Sequence, residues 1–362
     1  MSDSGERIPV AILGASGYIG QHFLRLLAEH PRFSVEALVG SERSTGRTIE
    51  SIWHLEEAPP ARWADQRLRA RTPAELVRGG IRLVFSGLPS GTAGPVEDEL
   101  ARRGLDVFTN AADHRMDPRV PLLVPEVNST HLLALARRPR ERGLIVADPN
   151  CSAAGLVVAL RPVWDLTRPS AVHVVTYQAL SGAGVPGVTS LSIADNVVPF
   201  IGGEEEKLVA ETQRMLGGTR AGRTRASRVP FAVHCARVGV RDGHLEAVTI
   251  VARERPALRD LERAWSTFDP LAGRDLPTAP HPTVILRREA DRPQPLRDRW
   301  AGAPPRARGM AVSVGRVRWK APFLRFFALS HNAVRGGAGG SVLNAELALD
   351  EGLLGRARGR VR

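Results

Sequence analysis

The chain predicts two packed domains: a doubly wound parallel α/β domain first, then an α+β domain built on a mostly antiparallel sheet. Three observations carry this. The chain has 362 residues, too many for one small domain and suited to two. Its first part alternates short apolar runs with helical periodicity, the pattern of βαβ units. Beyond about residue 150 that alternation gives way to β-rich stretches interrupted by polar helical ones.

The first elements follow in order. Residues 8–13 form an apolar run that ends at Gly14. A helical pattern runs from Ile19 to Glu29, with Phe23, Leu24, Leu26 and Leu27 available for its buried side. A second strand spans Ser34 to Val39. Strand, glycine turn, helix and strand within about 30 residues make a βαβ unit. Further strands are expected at Leu83–Ser86 and Asp106–Phe108, with a helix from Gly94 to Arg103 between them. The result is a Rossmann-type sheet over residues 1–150, with the C-terminal stretch 341–362 returning to it. Residues 151–340 form the second domain, with strands at Val172–Gln178, Ala232–Val240, Glu246–Ala252, Thr283–Leu286 and Met310–Arg318. Gly202–Leu216 and Ala257–Ser266 read as helical. Segments 218–228 and 300–308, rich in Gly, Pro and Arg, read as surface loops, and residues 355–362 as a frayed end.

Composition excludes several classes. No apolar run reaches the roughly 18–20 residues of a membrane span. The first residues lack the apolar core of a signal peptide, so a cytoplasmic protein is expected, with no membrane partner. Two cysteines, Cys151 and Cys235, are too few for a disulfide scaffold, and no Cys/His cluster has zinc spacing. The net charge is +12, but the basic residues are spread along the chain with no nucleic-acid-binding motif beside them. Nearly all are Arg; Lys207 and Lys320 are the only lysines. A lysine kept in such a chain draws notice, because Arg and Lys are not interchangeable at a tight site.

Gly14-Ala-Ser-Gly-Tyr-Ile-Gly20 lies in the first strand-to-helix turn. Glycines there let a pyrophosphate approach backbone N–H groups at a helix N-terminus. Gly14, Ser16, Gly17, Tyr18, Ile19 and Gly20 are therefore candidate dinucleotide contacts. After the second strand comes Gly40-Ser-Glu-Arg-Ser44, where an NAD enzyme commonly places an acid for the ribose. Ser41, Arg43 and Ser44 suit a 2′-phosphate instead, with Glu42 turned to solvent, so NADP is the expected cofactor. A Tyr-x-x-x-Lys pair of the short-chain dehydrogenase kind cannot be drawn from Tyr18, Tyr177, Lys207 and Lys320.

Asp148-Pro-Asn-Cys-Ser-Ala-Ala-Gly155 precedes an apolar, helix-like stretch, Leu156 to Leu166. Cys151 would sit at a helix N-terminus, where the dipole favours a thiolate and backbone N–H groups can hold an oxyanion. The competing reading is a buried, inert cysteine, the commoner fate of a free thiol.

At this point the chain resembles aspartate-semialdehyde dehydrogenases, in particular the archaeal and fungal branch. The matching motifs run from Gly14–Gly20 and Ser41–Ser44 through Phe85–Gly91, Arg115–Pro118 and Val120–Asn128. They continue with Asn150-Cys-Ser152, Ser181–Gly184, Ile201–Lys207, Asp242-Gly-His244, Pro293-Gln-Pro295 and Ser330-His-Asn332 through Gly340. The resemblance implies roles by position. Cys151 is the nucleophile, and Gln178, 27 positions later, orients a thioester. Arg237 pairs with a substrate α-carboxylate. His244, seven residues beyond it, is general base and acid. Arg115 and Lys207 bind phosphate, Glu204 binds the substrate amino group, and Asn150 belongs to the substrate site. Ser181, Gly182 and Asn332 join the cofactor site. The implied reaction is NADPH-dependent reduction of aspartyl phosphate to the semialdehyde, with phosphate as co-product and a homodimer or homotetramer as the assembly.

Plainer readings exist for several of these. A His after Asp-Gly is often a turn residue, Glu204–Glu206 suit a solvated helix start, and Gln178 could be a satisfied core amide. Arg228 rivals Arg237, but lies 16 residues before His244. The sequence also departs from the family pattern at Arg237-Val-Gly-Val240, Gly243-His-Leu-Glu246, Ala111–His114 and the stretches 219–228 and 296–308. These leave the chemistry in place and put the substrate in question. A thioester reductase such as malonyl-CoA reductase, on the same scaffold, is the alternative.

Overall fold

The computed structural model describes residues 7–136, 142–220 and 223–354. The first sheet is assembled from β1 (Ile8–Leu13), α1 (Tyr18–Leu27), β2 (Phe33–Val39), β3 (Leu83–Ser86), α2 (Ala93–Arg102), β4 (Asp106–Thr109), α3 (Pro125–Ala136) and β5 (Ile145–Ala147). Its five strands are all parallel, in the order β2-β1-β3-β4-β5. Helices cover both faces, so the strands read as continuous apolar runs; Val10, Ala11 and Ile12 have no exposed surface. The order reverses between β1 and β3. The crevice outside the carboxyl ends of those two strands is where such sheets bind ligands.

The remaining elements are α4 (Cys151–Thr167), β6 (Pro169–Gln178), α5 (Glu204–Met215), β7 (Phe231–Arg237), β8 (His244–Ala252), α6 (Leu258–Ser266), β9 (Val284–Arg287), β10 (Val312–Lys320), β11 (Phe323–Ser330) and α7 (Gly339–Asp350). The second sheet runs β9-β10-β11-β8-β6-β7. It is mixed: the three inner pairings are antiparallel, while β9–β10 and β6–β7 at the edges are parallel. Burial alternates strictly along β8. Its inward residues face α4, whose stretch Ser152–Leu160 is buried on every side. α4 is therefore a core helix, and its first residue is Cys151. α7 packs on α1, β4 and α3 of the first sheet.

Three expectations change. β11 was not anticipated from the sequence, yet it is central, pairing with both β8 and β10. Adjacent aromatics, Phe326 and Phe327, break the alternation that would have revealed it. β5 has only three residues and is held by its parallel neighbour β4. Segment 218–228 is not simple loop, for Gly218–Arg220 pairs with Arg223–Arg225. Residues 355–362, expected to fray as the tail of the returning stretch, lie outside the described residues. Among the described residues, no helix is long and apolar enough to cross a membrane.

Candidate active site

The first βα turn is sterically dictated. Gly14 adopts φ +69°, and a Cβ on it would lie 2.6 Å from the Gly87 carbonyl oxygen at the end of β3. A Cβ on Gly20 would come 2.1 Å from the Gly14 oxygen. Helix α1 thus starts flush against the sheet at the reversal point, its first N–H groups turned to the crevice. At the end of β2, Ser41, Glu42 and Arg43 are exposed, while Ser44 is buried and its hydroxyl donates to the Ser41 carbonyl at 3.1 Å. Glu42, the acid of Gly40–Ser44, is on the surface. These residues fit a dinucleotide with a 2′-phosphate. Tyr18 turns the other way: its hydroxyl donates to Asp242 Oδ1 at 2.8 Å, linking the dinucleotide turn to the loop that leads into His244 at the start of β8.

Cys151 opens α4, and Asn150 caps it. The Asn150 side-chain oxygen accepts from the N–H groups of Ser152 and Ala153 at 2.9 and 3.2 Å. Its amide nitrogen donates to Glu204 Oε1 at 2.8 Å. Gln178 Nε2 donates to the same oxygen at 3.1 Å. Cys151 Sγ lies 3.2 Å from His244 Nε2, and His244 Nδ1 accepts the Ala179 N–H at 3.0 Å. Arg237 Nη1 donates to the Ala179 carbonyl at 2.7 Å. Arg115 donates to Glu211 Oε1 and to the Asn110 carbonyl, while its buried Nε has no partner.

The structure therefore gathers Cys151, His244, Asn150, Gln178, Glu204, Arg237 and Arg115 around one point. A Cβ on Gly182 would lie 2.7 Å from Arg237 Nη1 and 3.3 Å from His244 Nε2, so this glycine roofs the pair. Asn332 accepts the Gly243 N–H and donates to Ser181 Oγ, both at 2.8 Å, bracing the His244 loop. Lys207 is not drawn in. It is exposed one turn along α5 from Glu204, with its ammonium beside Gly203.

Electrostatics refine the picture of the nucleophile. The helix N-terminus was expected to favour a thiolate, but burial pushes the Cys151 thiol up to about 12. The Glu204 carboxylate adds to that rise, while Arg115, Arg237 and the Ser152 N–H oppose it. Burial also pushes His244 down to about 3, helped by the Arg237 charge, so the imidazole is neutral.

Two participants were not singled out from the sequence. Glu211 accepts the Asn150 N–H at 2.5 Å and holds Arg115 at 3.2 Å. Its position seven residues after Glu204, two turns along one helix face, was the available signal. Gly336 is the other. A Cβ there would lie 2.5 Å from the Cys151 carbonyl oxygen, so the segment after β11 runs directly against the nucleophile. Among the described residues, no group of three or more His, Cys, Asp or Glu is placed to hold a metal ion. The cleft of about 400 Å³ lined by Arg25, Glu29, Glu57, Arg306 and Arg308 lies away from Cys151.

Known proteins resemble this chain over nearly its full length. Residues 9–135 match the family described as semialdehyde dehydrogenase, NAD binding domain, and residues 160–335 match semialdehyde dehydrogenase, dimerisation domain. An aspartate-semialdehyde dehydrogenase of Archaeoglobus fulgidus is 40% identical over 354 residues, covering 96% of this chain and 100% of that one. A malonyl CoA reductase (NADP) of Metallosphaera sedula is 36% identical, covering 96% and 98%. The crystal structure of aspartate semialdehyde dehydrogenase with NADP from Candida albicans superposes with a TM-score of 0.85 at 34% identity, covering 96% of this chain and 100% of that one. With both domain families matched in order and full-length relatives above 30% identity, this chain belongs to the semialdehyde dehydrogenase family, in its archaeal and fungal branch.

Proposed function

We propose that this chain is an NADP-dependent aspartate-semialdehyde dehydrogenase, which reduces L-aspartyl 4-phosphate to L-aspartate 4-semialdehyde, reversibly, through a thioester on Cys151. The observation that carries the reading is the Cys151–His244 contact of 3.2 Å, set between two arginines and a buried carboxylate. The sulfur attacks the acyl carbon and phosphate leaves; NADPH, when bound, supplies the hydride that reduces the thioester; the aldehyde is then released from sulfur. Gln178 orients the acyl carbonyl, and His244, through Nε2 beside the sulfur, is the general base and acid. Arg237 binds the substrate α-carboxylate with the N–H groups that Ala179 leaves free. Glu204, anchored by Asn150 and Gln178, binds the substrate ammonium. Arg115, through its unpartnered Nε, and Lys207, by swinging inward, bind phosphate.

Gly14, Ser16, Gly17, Ile19 and Gly20 line the pyrophosphate side of the cofactor, and Ser41, Arg43 and Ser44 its 2′-phosphate. Ser181, Gly182 and Asn332 flank the nicotinamide side, and Tyr18 acts behind the turn. Residues 1–150 with the C-terminal helix form the NADP domain, and residues 151–340 the catalytic and dimerisation domain. The outer face of the second sheet, with Val175, Tyr177, Leu245 and Phe327 half-buried, supports a homodimer or homotetramer. A cytoplasmic enzyme of amino-acid biosynthesis, serving lysine, threonine and methionine, follows from this activity.

The test is direct. Purified protein is given aspartate semialdehyde, phosphate and NADP, and separately malonyl-CoA and NADPH. NADPH formation in the first mixture is expected. No turnover there, with NADPH oxidation in the second, would replace this reading by malonyl-CoA reductase. The anchored Glu204 favours aspartate, because malonyl-CoA offers that carboxylate no ammonium.

A further inference from the structure

The loop after β4 carries Arg115, and beside that loop lies a buried carboxylate that the chemistry at Cys151 does not use. Glu97, on α2, is fully buried. Its Oε1 accepts the hydroxyls of Ser86 and Thr109, the last residues of β3 and β4, at 2.6 and 2.7 Å. Its Oε2 faces His114 Nε2 at 3.3 Å, and the His114 side chain is 9% exposed. Two hydroxyls do not balance a buried charge, whereas an imidazolium does. The rest of the loop is tied to the same corner. The Ala112 N–H donates to Ser90 Oγ at 2.9 Å, and Asp113 accepts the Gly91 and Gly94 N–H groups at 2.9 and 3.0 Å. From the other side Arg214, on α5, donates to the carbonyls of Arg115, Asp117 and Val120. His114 is thus the last tie on the α2 side, and the next residue is Arg115. It closes the run Ala111–His114, where the sequence departs from the family pattern.

We propose that protonated His114, paired with Glu97, is a positioning residue for Arg115: it holds the loop where the guanidinium meets phosphate, so that phosphate binding weakens as His114 loses its proton. The proposal rests on the acyl-phosphate reading given above, in which Arg115 binds phosphate. Around His114 stand Glu97 and Asp98 from α2, and Asp113 and Asp117 from its own loop. Arg142 pairs with Asp98, Arg119 pairs with Asp117, and Arg214 reaches the backbone of the next residue. The Glu97 carboxylate raises the His114 imidazole above its ordinary value; burial opposes that rise, and Asp98 and Asp113 add to it. The sign of the pH dependence follows. A raised imidazole keeps its proton at the ordinary histidine value of about 6.5 and gives it up as the pH climbs through its own higher one. The pair is therefore whole at about pH 6.5 and below, and broken in alkali. Breaking it leaves Glu97 without a cation in the interior and frees the loop one residue from Arg115. Cofactor and amino-acid contacts lie on other elements, so the effect falls on phosphate.

Two measurements on the full chain test this. In ¹⁵N-histidine-labelled protein without substrate, with His114 assigned by difference against His114→Gln, the ring is expected to titrate above about pH 6.5, and at lower pH in Glu97→Gln. A wild-type midpoint at or below about pH 6.5 overturns the pairing, and that criterion needs no variant of Glu97 to fold. A midpoint that Glu97→Gln leaves in place overturns it too. In the second measurement, NADP reduction by aspartate semialdehyde is followed against inorganic phosphate at about pH 6.5 and about pH 9, with wild type beside His114→Gln. The ratio of the two KM values for phosphate cancels the titration of phosphate itself. That ratio is expected to be ~10 at the lower pH and within about twofold of unity at the higher. KM for NADP and for aspartate semialdehyde should stay within about twofold of wild type. A ratio that does not change with pH overturns the positioning role, as does a rise in all three KM values together, the mark of a loosened fold. No phosphate-dependent turnover by the wild type ends the acyl-phosphate reading and the task of Arg115 with it, while the titration, made without substrate, still judges the pair.

Discussion

At Cys151 two opposing influences meet. A helix N-terminus and two arginines favour the thiolate, while burial and the Glu204 carboxylate disfavour it, and burial wins. Glu204 is the adjustable member, because a substrate ammonium would neutralise it. Two predictions belong at this scale. Cys151→Ser is expected to lower NADP reduction by about 10³-fold or more, since the second half of the chemistry has no route without the thiol. A Cys151→Ser enzyme with wild-type turnover ends the covalent reading. Glu204→Gln should act in opposite directions on two readouts. KM for aspartate semialdehyde should rise by about 10-fold or more as a charge-assisted contact is lost. Alkylation of unliganded Cys151 should quicken, because a charge that raises the thiol is gone. An unchanged alkylation rate would show that Glu204 does not reach the sulfur electrostatically.

At the scale of elements, α4 matters at its first turn and the segment after β11 at its glycines. Asn150 closes the helix with two accepted N–H bonds and anchors Glu204 with its amide. Asn150→Ala is expected to cost about 0.5–2 kcal/mol of stability in urea denaturation, the usual range for a lost N-cap, together with a higher substrate KM. Loss of stability with KM unchanged would reduce Asn150 to a cap. Gly336→Ala introduces a methyl where 2.5 Å separates its position from the Cys151 carbonyl oxygen, and 2.7 Å from the Cys151 Cα. Either the segment or the nucleophile must move. A displacement of about 1 Å is enough to cost roughly 100-fold in turnover, measured against an intact fold by circular dichroism. Wild-type turnover in that variant would contradict the close approach.

The whole molecule depends on contacts between distant parts of the chain. Arg335, after β11, is fully buried against Glu126 of α3, with two guanidinium nitrogens on the two carboxylate oxygens and Nε on the Met310 carbonyl. It fixes the Gly336 segment relative to the first sheet. Arg335→Met strands the Glu126 charge, and a loss of about 3–5 kcal/mol is expected in equilibrium denaturation. A change within about 0.5 kcal/mol, the size of a surface substitution, would refute the clamp. The Tyr18–Asp242 bond makes a second such link, from the dinucleotide turn to the histidine loop.

Legibility from the sequence varied with the range of the interaction. The βαβ unit, the Gly14–Gly20 turn and the helix after Cys151 were readable, because local periodicity and steric punctuation act within a few residues. β11 and β5 were not, since a short or non-alternating strand is held by its neighbours in the sheet rather than by its own pattern. Among the candidate site residues, the resemblance to the semialdehyde dehydrogenases nominated Cys151, Gln178, Arg237 and His244. The same reasoning placed Lys207 at the centre, where the structure leaves it exposed. It passed over Glu211, whose importance comes from meeting Arg115, which is 96 residues away. By itself, then, the sequence determined the α/β plan and the dinucleotide turn, both set by residue type and short-range geometry, while its likeness to a known family named the reactive groups. Only the tertiary structure decided the state of those groups: a thiol raised by burial, an imidazole kept neutral by burial, and a glycine pressed against the nucleophile. Desolvation and close approach depend on what the fold brings together, and no spacing along the chain encodes them.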